Sequence, residues 1–442
     1  MTRMGLLAVV CLLAAQPVVA QPAVSLTIDE AVARALAHAP RLAGVRARER
    51  AAEATRAAYE AAGRPSVSAL TGFVRTNHVD EFGLVQPDGT RRIIFPDIPS
   101  NYRVRAEIGV PLVTGGRVDA LVASAEAERR AVAAESASVE ADIELETVVA
   151  YWTLALARAR VDVLEQAQRR ADAVVSDVAA RVETGLLPPN EQLSAEAQRA
   201  RQRVQLIEAQ NAAAVAEAQL ARLVGVEPGQ PIDLTTPVAG DMTIAGEVGD
   251  PSVLAREAAR RRAERQALGD RAAAAEAAAR AAAAALRPQL TALAAIEPAR
   301  PNARFVPRVD EWNTSWDLGV TLSWSLFDGG RSRAERAAAL ARAEAIRAAM
   351  DDFDAAVDVD VRARQADVAA ARAGLAAAAE AVAAAREARR VVGERFEAGV
   401  ATTTDVLDAD VALLEAELEQ TRLAVALRIG QARLMRSAGI RR

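Results

Sequence analysis

The sequence predicts a membrane protein of mixed α and β structure. Each chain gives four strands to a shared transmembrane β-barrel, continuous with a long barrel of α-helices, and the whole is a tandem internal duplication. Three observations predict this. Separate landmarks recur at one fixed offset, two hairpin-like segments alternate apolar and polar residues, and two helical patterns run for 67 residues each.

The offset comes first, because repeats decide how everything else is read. Arg395 and Arg181 differ by 214, as do Gly399 and Gly185; the same shift carries Gly116-Arg117 onto Gly330-Arg331 and Gly225 onto Gly439. Upstream of the second hairpin the shift is 223, nine more, because the first hairpin loop, within Thr76–Asn101, is longer than its counterpart within Pro298–Glu311.

Composition supports long helices. Hydrophobic residues reach 51% but aromatics only 3%, so alanine supplies most of the apolar count. Alanine with Glu, Arg, Leu and Gln at a period of 3.5–3.6 is the signature of long helices. There is no lysine, and the net charge of −5 comes from nearly balanced signs, which does not suggest nucleic acid as a partner. Arg3, the apolar run Gly5–Ala15 and the small residues to Ala20 read as a signal peptide over 1–20, cut before Gln21. The single cysteine, Cys11, lies inside it, so the expected mature chain is exported without disulfides. No further stretch of about 18 apolar residues is expected, and hence no transmembrane helix.

In chain order, Leu26-Thr27-Ile28-Asp29-Glu30 opens a helix with a capping box, and Pro40 predicts a kink or restart before the helix ends at Arg64-Pro65. The counterpart runs from Pro251 to Arg287-Pro288. The period then changes to two. Tyr102, Val104, Ala106, Ile108, Val110 and Leu112 alternate with polar or small residues, as do Trp312, Thr314, Trp316, Leu318, Val320, Leu322 and Trp324. Val67–Arg75 and Gln289–Glu297 are their hairpin partners, and the tips read as exposed loops. Such strands are long enough to cross a bilayer, and the tryptophans suit its two interfaces. Four strands cannot close a barrel, and lipid does not tolerate open edges, so several chains must share one.

Each hairpin returns through Gly115-Gly116 or Gly329-Gly330 into a long helix, Arg117–Glu183 or Arg331–Glu397. Two apolar stripes on one helix predict neighbours on both sides, as in a ring of helices. Both long helices break at a glycine, Gly185 or Gly399, and a second helix follows at once. In the second turn Thr404 or Asp405 is the expected helix start, with Thr and Asp side chains as caps. The domain plan is thus a signal peptide over 1–20, a first repeat over 21–225, an equatorial linker over 226–250 and a second repeat over 251–442.

Nothing predicts an enzyme, a cofactor or a metal site: the mature chain has only His38 and His78, no P-loop, no nucleophile elbow and no ligand cluster. Asp351-Asp352-Phe353-Asp354 reads as an exposed charge run rather than a cation site.

The chain resembles the TolC family of outer-membrane efflux proteins over essentially its whole mature length. The likeness is carried by Leu26–Ala31 with Ala39-Pro40, by Ser325-Leu326-Phe327-Asp328-Gly329-Gly330-Arg331, and by Arg395–Asp408. Pro188-Pro189-Asn190-Glu191 departs from the Thr-Asp usual at the first turn, and Ser325 stands where the family often has proline. The resemblance implies a homotrimer in the outer membrane of a Gram-negative bacterium, contacting outer-membrane lipid and reaching into the periplasm. It implies a passive gated duct for tripartite efflux or type I secretion. Its partners would be a periplasmic adaptor and an inner-membrane transporter of RND or ABC type. A periplasmic gate is expected at Glu191, Asp405 and Asp408. An adaptor-docking tip is expected at Gly185, Leu186, Leu187, Gly399 and Val400, and strand–helix junctions at Gly115, Gly116, Gly329 and Gly330. The competing reading is a periplasmic coiled-coil adaptor or scaffold without a channel, which would not need the two amphipathic hairpins.

Overall fold

The computed structural model describes residues 23–238 and 249–441. The expected signal peptide, with Cys11, lies outside the described residues, as does most of the second half of the 226–250 linker. Among the described residues the first half of the chain forms β1 (Val24–Leu26), α1 (Ile28–His38), α2 (Pro40–Ala61), β2 (Ser66–Arg75), β3 (Phe82–Val85), β4 (Arg91–Phe95), β5 (Ser100–Val113), α3 (Arg117–Glu183) and α4 (Pro189–Val224). After β6 (Ile232–Leu234), the second half forms α5 (Pro251–Arg261), α6 (Ala263–Ala283), β7 (Gln289–Arg300), β8 (Asn313–Ser323), α7 (Arg331–Glu397) and α8 (Thr403–Ser437). Each of α3 and α7 has 67 residues, about 100 Å by the rise of an α-helix.

The described chain divides into two compact units. One comprises 23–39, 142–238 and 363–436; the other comprises 40–141, 249–362 and 437–441. In the first, β1 and β6 pair in parallel, Val24 to Ile232 and Leu26 to Leu234. Strands of three residues are too short for alternation to reveal. Tyr151 secures them: its hydroxyl donates to the Leu26 carbonyl at 3.1 Å and accepts from the Thr236 N–H at 2.9 Å. Around it Leu26, Ile28, Trp152, Leu154, Leu220 and Val224 form a buried core.

The second unit holds the sheet. Its order is β2-β5-β7-β8, antiparallel throughout, with β2 and β8 outermost. One face is apolar and bare: Trp316, Leu318, Val320 and Leu322 are 63–74% exposed. Phe73, Tyr102 and Trp312 stack in sequence at one end of that face, with centroids 4.9 and 6.2 Å apart. Trp324 stands at the other end and donates its indole N–H to the Leu286 carbonyl at 3.0 Å. On the polar face Arg105 bonds Glu297 at 3.0 Å, Asp317 at 3.1 Å and Glu107 at 3.1 Å, so one guanidinium ties three strands together. The loop expected at Thr76–Asn101 is not featureless. It carries the hairpin β3–β4, turned at Pro87-Asp88-Gly89, with the Gln86 N–H on the Thr90 carbonyl at 2.7 Å.

Helices in this unit pack through alanine. Ala127 and Ala131 of α3 are buried, as are Ala274, Ala277 and Ala281 of α6. Small side chains let backbones approach closely, and Ser124 bonds the Ala274 carbonyl directly at 2.9 Å. Each buried methyl contributes only about 0.8 kcal/mol, so the area must be long. The acidic run of α7 has a packing role: Asp354 accepts from Arg265 of α6 at 2.8 Å, and Phe353 lies 5.0 Å beneath the Arg262 guanidinium. One window of α7 is long and apolar enough to cross a bilayer by length and composition. Only the average is apolar, since Arg372 and Glu380 interrupt the run and no uncharged stretch of span length lies there. Its apolar character is alanine's, within a helix more than twice the length of a span.

The expected restart at Pro40 is present: Ala39 is extended at ψ 110°, as the residue before a proline should be. An unforeseen break lies 223 residues on, where Arg262 is extended at ψ 126° with no proline beside it. Its side chain holds the break by bonding Glu264 at 2.9 Å and covering Phe353. The joints beside the two breaks also correspond. Gly225 ends α4 at φ 68°, where a Cβ would lie 2.6 Å from the His38 ring; Gly439 follows α8 at φ 66°, where a Cβ would lie 3.0 Å from the Arg261 Cβ.

Gly225→Val should therefore lower stability by about 1–3 kcal/mol through left-handed strain and the clash with His38. Thermal unfolding in detergent measures this. Adding His38→Ala should recover only the clash, so full recovery would show that backbone strain contributes nothing.

Candidate functional site at the helix turns

The α3–α4 and α7–α8 turns, both in the first unit, end their long helices in the same way. Gly185 and Gly399 have φ 75° and 76°. The Leu186 N–H bonds the Arg181 carbonyl at 2.8 Å and the Gly185 N–H bonds that of Val182 at 3.0 Å. In the second turn Val400 bonds Arg395 at 2.9 Å and Gly399 bonds Phe396 at 3.0 Å. These are the six-to-one and five-to-two bonds of a Schellman motif. A Cβ at either glycine would meet nothing within 4 Å, so the backbone conformation alone requires glycine there.

The helices leave the two turns differently. α4 begins with Pro189 at its first position, and Pro188 offers no side-chain cap. α8 begins at Thr403, one residue before the expected start. Its cap is Thr402, whose hydroxyl accepts from the Asp405 N–H at 3.2 Å while the Asp405 carboxylate accepts from the Thr402 N–H and hydroxyl, both at 2.8 Å. Asp405 is thus the third residue of a capping box, not the cap. The bonds from the Thr402 backbone and hydroxyl, with Arg395 nearby, hold its carboxyl below the usual carboxylate range.

A shared core joins the turns. Val178 of α3, Ala195 of α4, Phe396 of α7 and Val406 of α8 are buried together, and Leu187 packs half-buried against them. Leu186 and Val400 point away, 74% and 65% exposed. Arg181 stitches the turns across this core: its guanidinium donates to the Phe396 carbonyl at 3.0 Å and lies 4.3 Å over the Phe396 ring. Glu191 is partly buried and Asp408 is exposed. Among the described residues the Asp408 carboxylate has no hydrogen bond or ion pair.

A charged layer next to this core was not legible in the sequence. Asp410 of α8 is 4% exposed; one oxygen accepts from Arg389 of α7 at 2.8 Å and lies 3.9 Å from Arg170 of α3. Arg170 also donates to Glu417 at 3.2 Å, and Arg386 reaches the same carboxylate at 3.5 Å. Nothing in the local pattern distinguishes Asp410 from its exposed neighbours, because its partners come from other helices.

The strand–helix junctions belong to the second unit. Gly115 and Gly116 turn at φ 63° and 80°, Gly329 and Gly330 at 71° and 87°. Asp328 caps α7 by accepting from the Gly330 N–H at 3.0 Å and the Ser332 N–H at 2.9 Å. Among the described residues no group of His, Cys, Asp and Glu is arranged to hold a metal.

Two outcomes follow. Since Asp405 has a lowered carboxyl pKa in the folded chain, its cap contributes above about pH 4, the unfolded value, and is lost as pH falls through the folded value. Amide protection at the start of α8, relative to intrinsic exchange at each pH, should fall on acidification over that window, and Asp405→Asn should remove this pH dependence; an unchanged profile would show that the cap does not hold that helix start. Arg389→Met should destabilise by about 3 kcal/mol by stranding the Asp410 charge, and Arg389→Met with Asp410→Leu should restore most of it. Denaturant melts would contradict this if the single and double variants were equally weak.

Comparison with known proteins agrees with the geometry. No curated protein matches the sequence. Among solved structures, the outer-membrane channel OprN is 23% identical with a TM-score of 0.76, covering 93% of this chain and 89% of that one. The outer membrane protein VceC of Vibrio cholerae is 21% identical with a TM-score of 0.75, covering 93% and 96%. The CmeC outer membrane channel of Campylobacter jejuni is 13% identical with a TM-score of 0.78, covering 93% and 85%. The family model described as outer membrane efflux protein matches residues 31–226 and 254–440, and the chain belongs to that family.

Proposed function

We propose that three copies of this outer-membrane efflux channel protein form one duct. Each copy gives four strands to a common barrel and its long helices to a periplasmic tube. The observation that carries this reading is the sheet, with a bare apolar face and two unpaired edges in one chain. The repeats 21–225 and 251–442, joined by the equatorial linker 226–250, act as two near-equivalent halves of each copy. The adaptor or scaffold alternative falls with the family assignment.

The two Schellman turns dock a periplasmic adaptor. Gly185 and Gly399 set the turns, Leu186 and Val400 offer exposed apolar contact, and Leu187 keeps the turn in shape from beneath. The adaptor joins the duct to an inner-membrane transporter of RND or ABC type, serving efflux or type I secretion. The junctions at Gly115, Gly116, Gly329 and Gly330 redirect the chain from barrel to tube. A wide aqueous duct must close at rest, and threefold symmetry brings three copies of any inward residue to one level. Glu191, Asp405 and Asp408 then make acidic rings that favour cations in the constriction. The bonds from Thr402, which lower the Asp405 carboxyl pKa, favour the charged form of that ring. Arg181, bonded to the opposite turn, is a holder of the closed form.

Asp408→Asn with Glu191→Gln should lower cation selectivity in single-channel recordings and weaken block by multivalent cations, with trimer yield unchanged. Selectivity equal to the parent would return both residues to solvated surface. Leu186→Asp with Val400→Asp should abolish export in cells while outer-membrane insertion stays normal; retained export would exclude these residues from docking.

A further inference from the structure

The internal duplication fixes how one copy of the sheet meets the next. In the first hairpin the partner residue numbers add to 175, as in Ser66 with Gly109; in the second they add to 612, as in Gln289 with Ser323. Shifting β2 by 223 and β5 by 214 turns the first value into the second without remainder. The mapping read from sequence landmarks therefore preserves strand register residue for residue. It also preserves the helix joints, since His38 against Gly225 becomes Arg261 against Gly439.

One seam in the sheet joins the two repeats, that of β5 with β7, where partner numbers add to 402, as in Glu107 with Ala295 and Ile108 with Ala294. The equivalent seam would join β8 to β2. Within one chain these are the outermost strands and do not pair. We infer that β8 of one copy pairs antiparallel with β2 of the next in the register given by the same mapping, with partner numbers adding to 393. Val320 then meets Phe73 of the next copy, Thr321 meets Gly72 and Ser323 meets Leu70. This inference rests on the shared-barrel reading and adds to it which residues touch.

The faces agree. Val320 and Phe73 both lie on the bare apolar face, while Thr321 and Gly72 lie on the face that carries Arg105. A slip of one residue would put an apolar face on the polar side. A slip of two keeps the faces but moves partners about 7 Å along the strand, beyond disulfide reach. The contact is head-to-tail, so it closes into a ring rather than ending as a symmetric pair.

Cysteine pairs test the register, since the sequence has no cysteine after Cys11. Thr321→Cys with Gly72→Cys, oxidised in the membrane, should link most chains into a covalent trimer on non-reducing gels. Thr321→Cys with Leu70→Cys, and Thr321→Cys with Val74→Cys, should leave most chains unlinked. Glu107→Cys with Ala295→Cys, the same register inside one chain, should close within the monomer and shows that the geometry permits the bond. If a slipped pair links best, or Thr321→Cys alone links to itself, the register is wrong although the trimer stands by native mass. If light scattering in detergent finds monomers and no pair links between chains, the shared-barrel reading fails and this seam with it.

Discussion

Inside a bilayer a backbone N–H or C=O without a partner has no water to turn to, and each such group costs several kcal/mol. That constraint organises this molecule. Four strands leave two edges bare, and the outermost strands are the first strand of the first repeat and the last strand of the second. The chain cannot satisfy them alone. Its apolar sheet face, its aromatic residues at both ends of that face and its need for further copies all follow from the same shortage.

Duplication makes the solution inexpensive in sequence terms. In the inferred ring, the contact that β5 makes with β7 is used again where β8 meets β2 of the next copy. Each repeat therefore needs only one consistent pattern: apolar residues outward, polar residues inward, and a fixed number of residues between hairpin and helix. The differences between the repeats sit where the pattern tolerates them. The longer first loop folds back as β3–β4, and Thr402 caps one turn where Pro189 starts the helix of the other. The shared features are those that geometry enforces, namely glycine at φ near 75° in both turns and extended residues at Ala39 and Arg262.

What could be read from the sequence follows the range of each interaction. The long helices begin and end where local signals put them, because glycine and capping residues act within a turn. The transmembrane strands were legible because a period of two is local. β3–β4 was missed although Pro87-Asp88-Gly89 is a turn signal; the polar, arginine-rich surroundings masked the short strands. The break at Arg262 had no local sign, because its cause is a contact with Phe353 some ninety residues away. Asp410 was hidden for the same reason. A carboxylate on a helix looks solvated until the helices that supply Arg389 and Arg170 are in place.

Asp410 also explains how α8 presents its other acids. At about 100° per residue, Asp405 and Asp408 lie within about 60° of one another, while Asp410 lies about 140° from Asp405. Packing a charge inward is costly unless it is paired, so Arg389 and Arg170 fix which side of α8 faces α7 and α3. That choice leaves Asp405 and Asp408 exposed. Rotating α8 alone about its axis would strip Arg389 and Arg170 from Asp410. Swinging α7 and α8 together keeps Arg389 on Asp410, but it pulls Arg170 of α3 away from Glu417 and Asp410 as well as straining the Arg181 bond to the Phe396 carbonyl and the small core around it. Losing one hydrogen bond costs about 1 kcal/mol, against about 3–5 for a stranded buried charge. Both motions break a charged contact of α8, so Arg170 and Arg389, with Arg181 between the turns, together hold this end of the molecule in one arrangement.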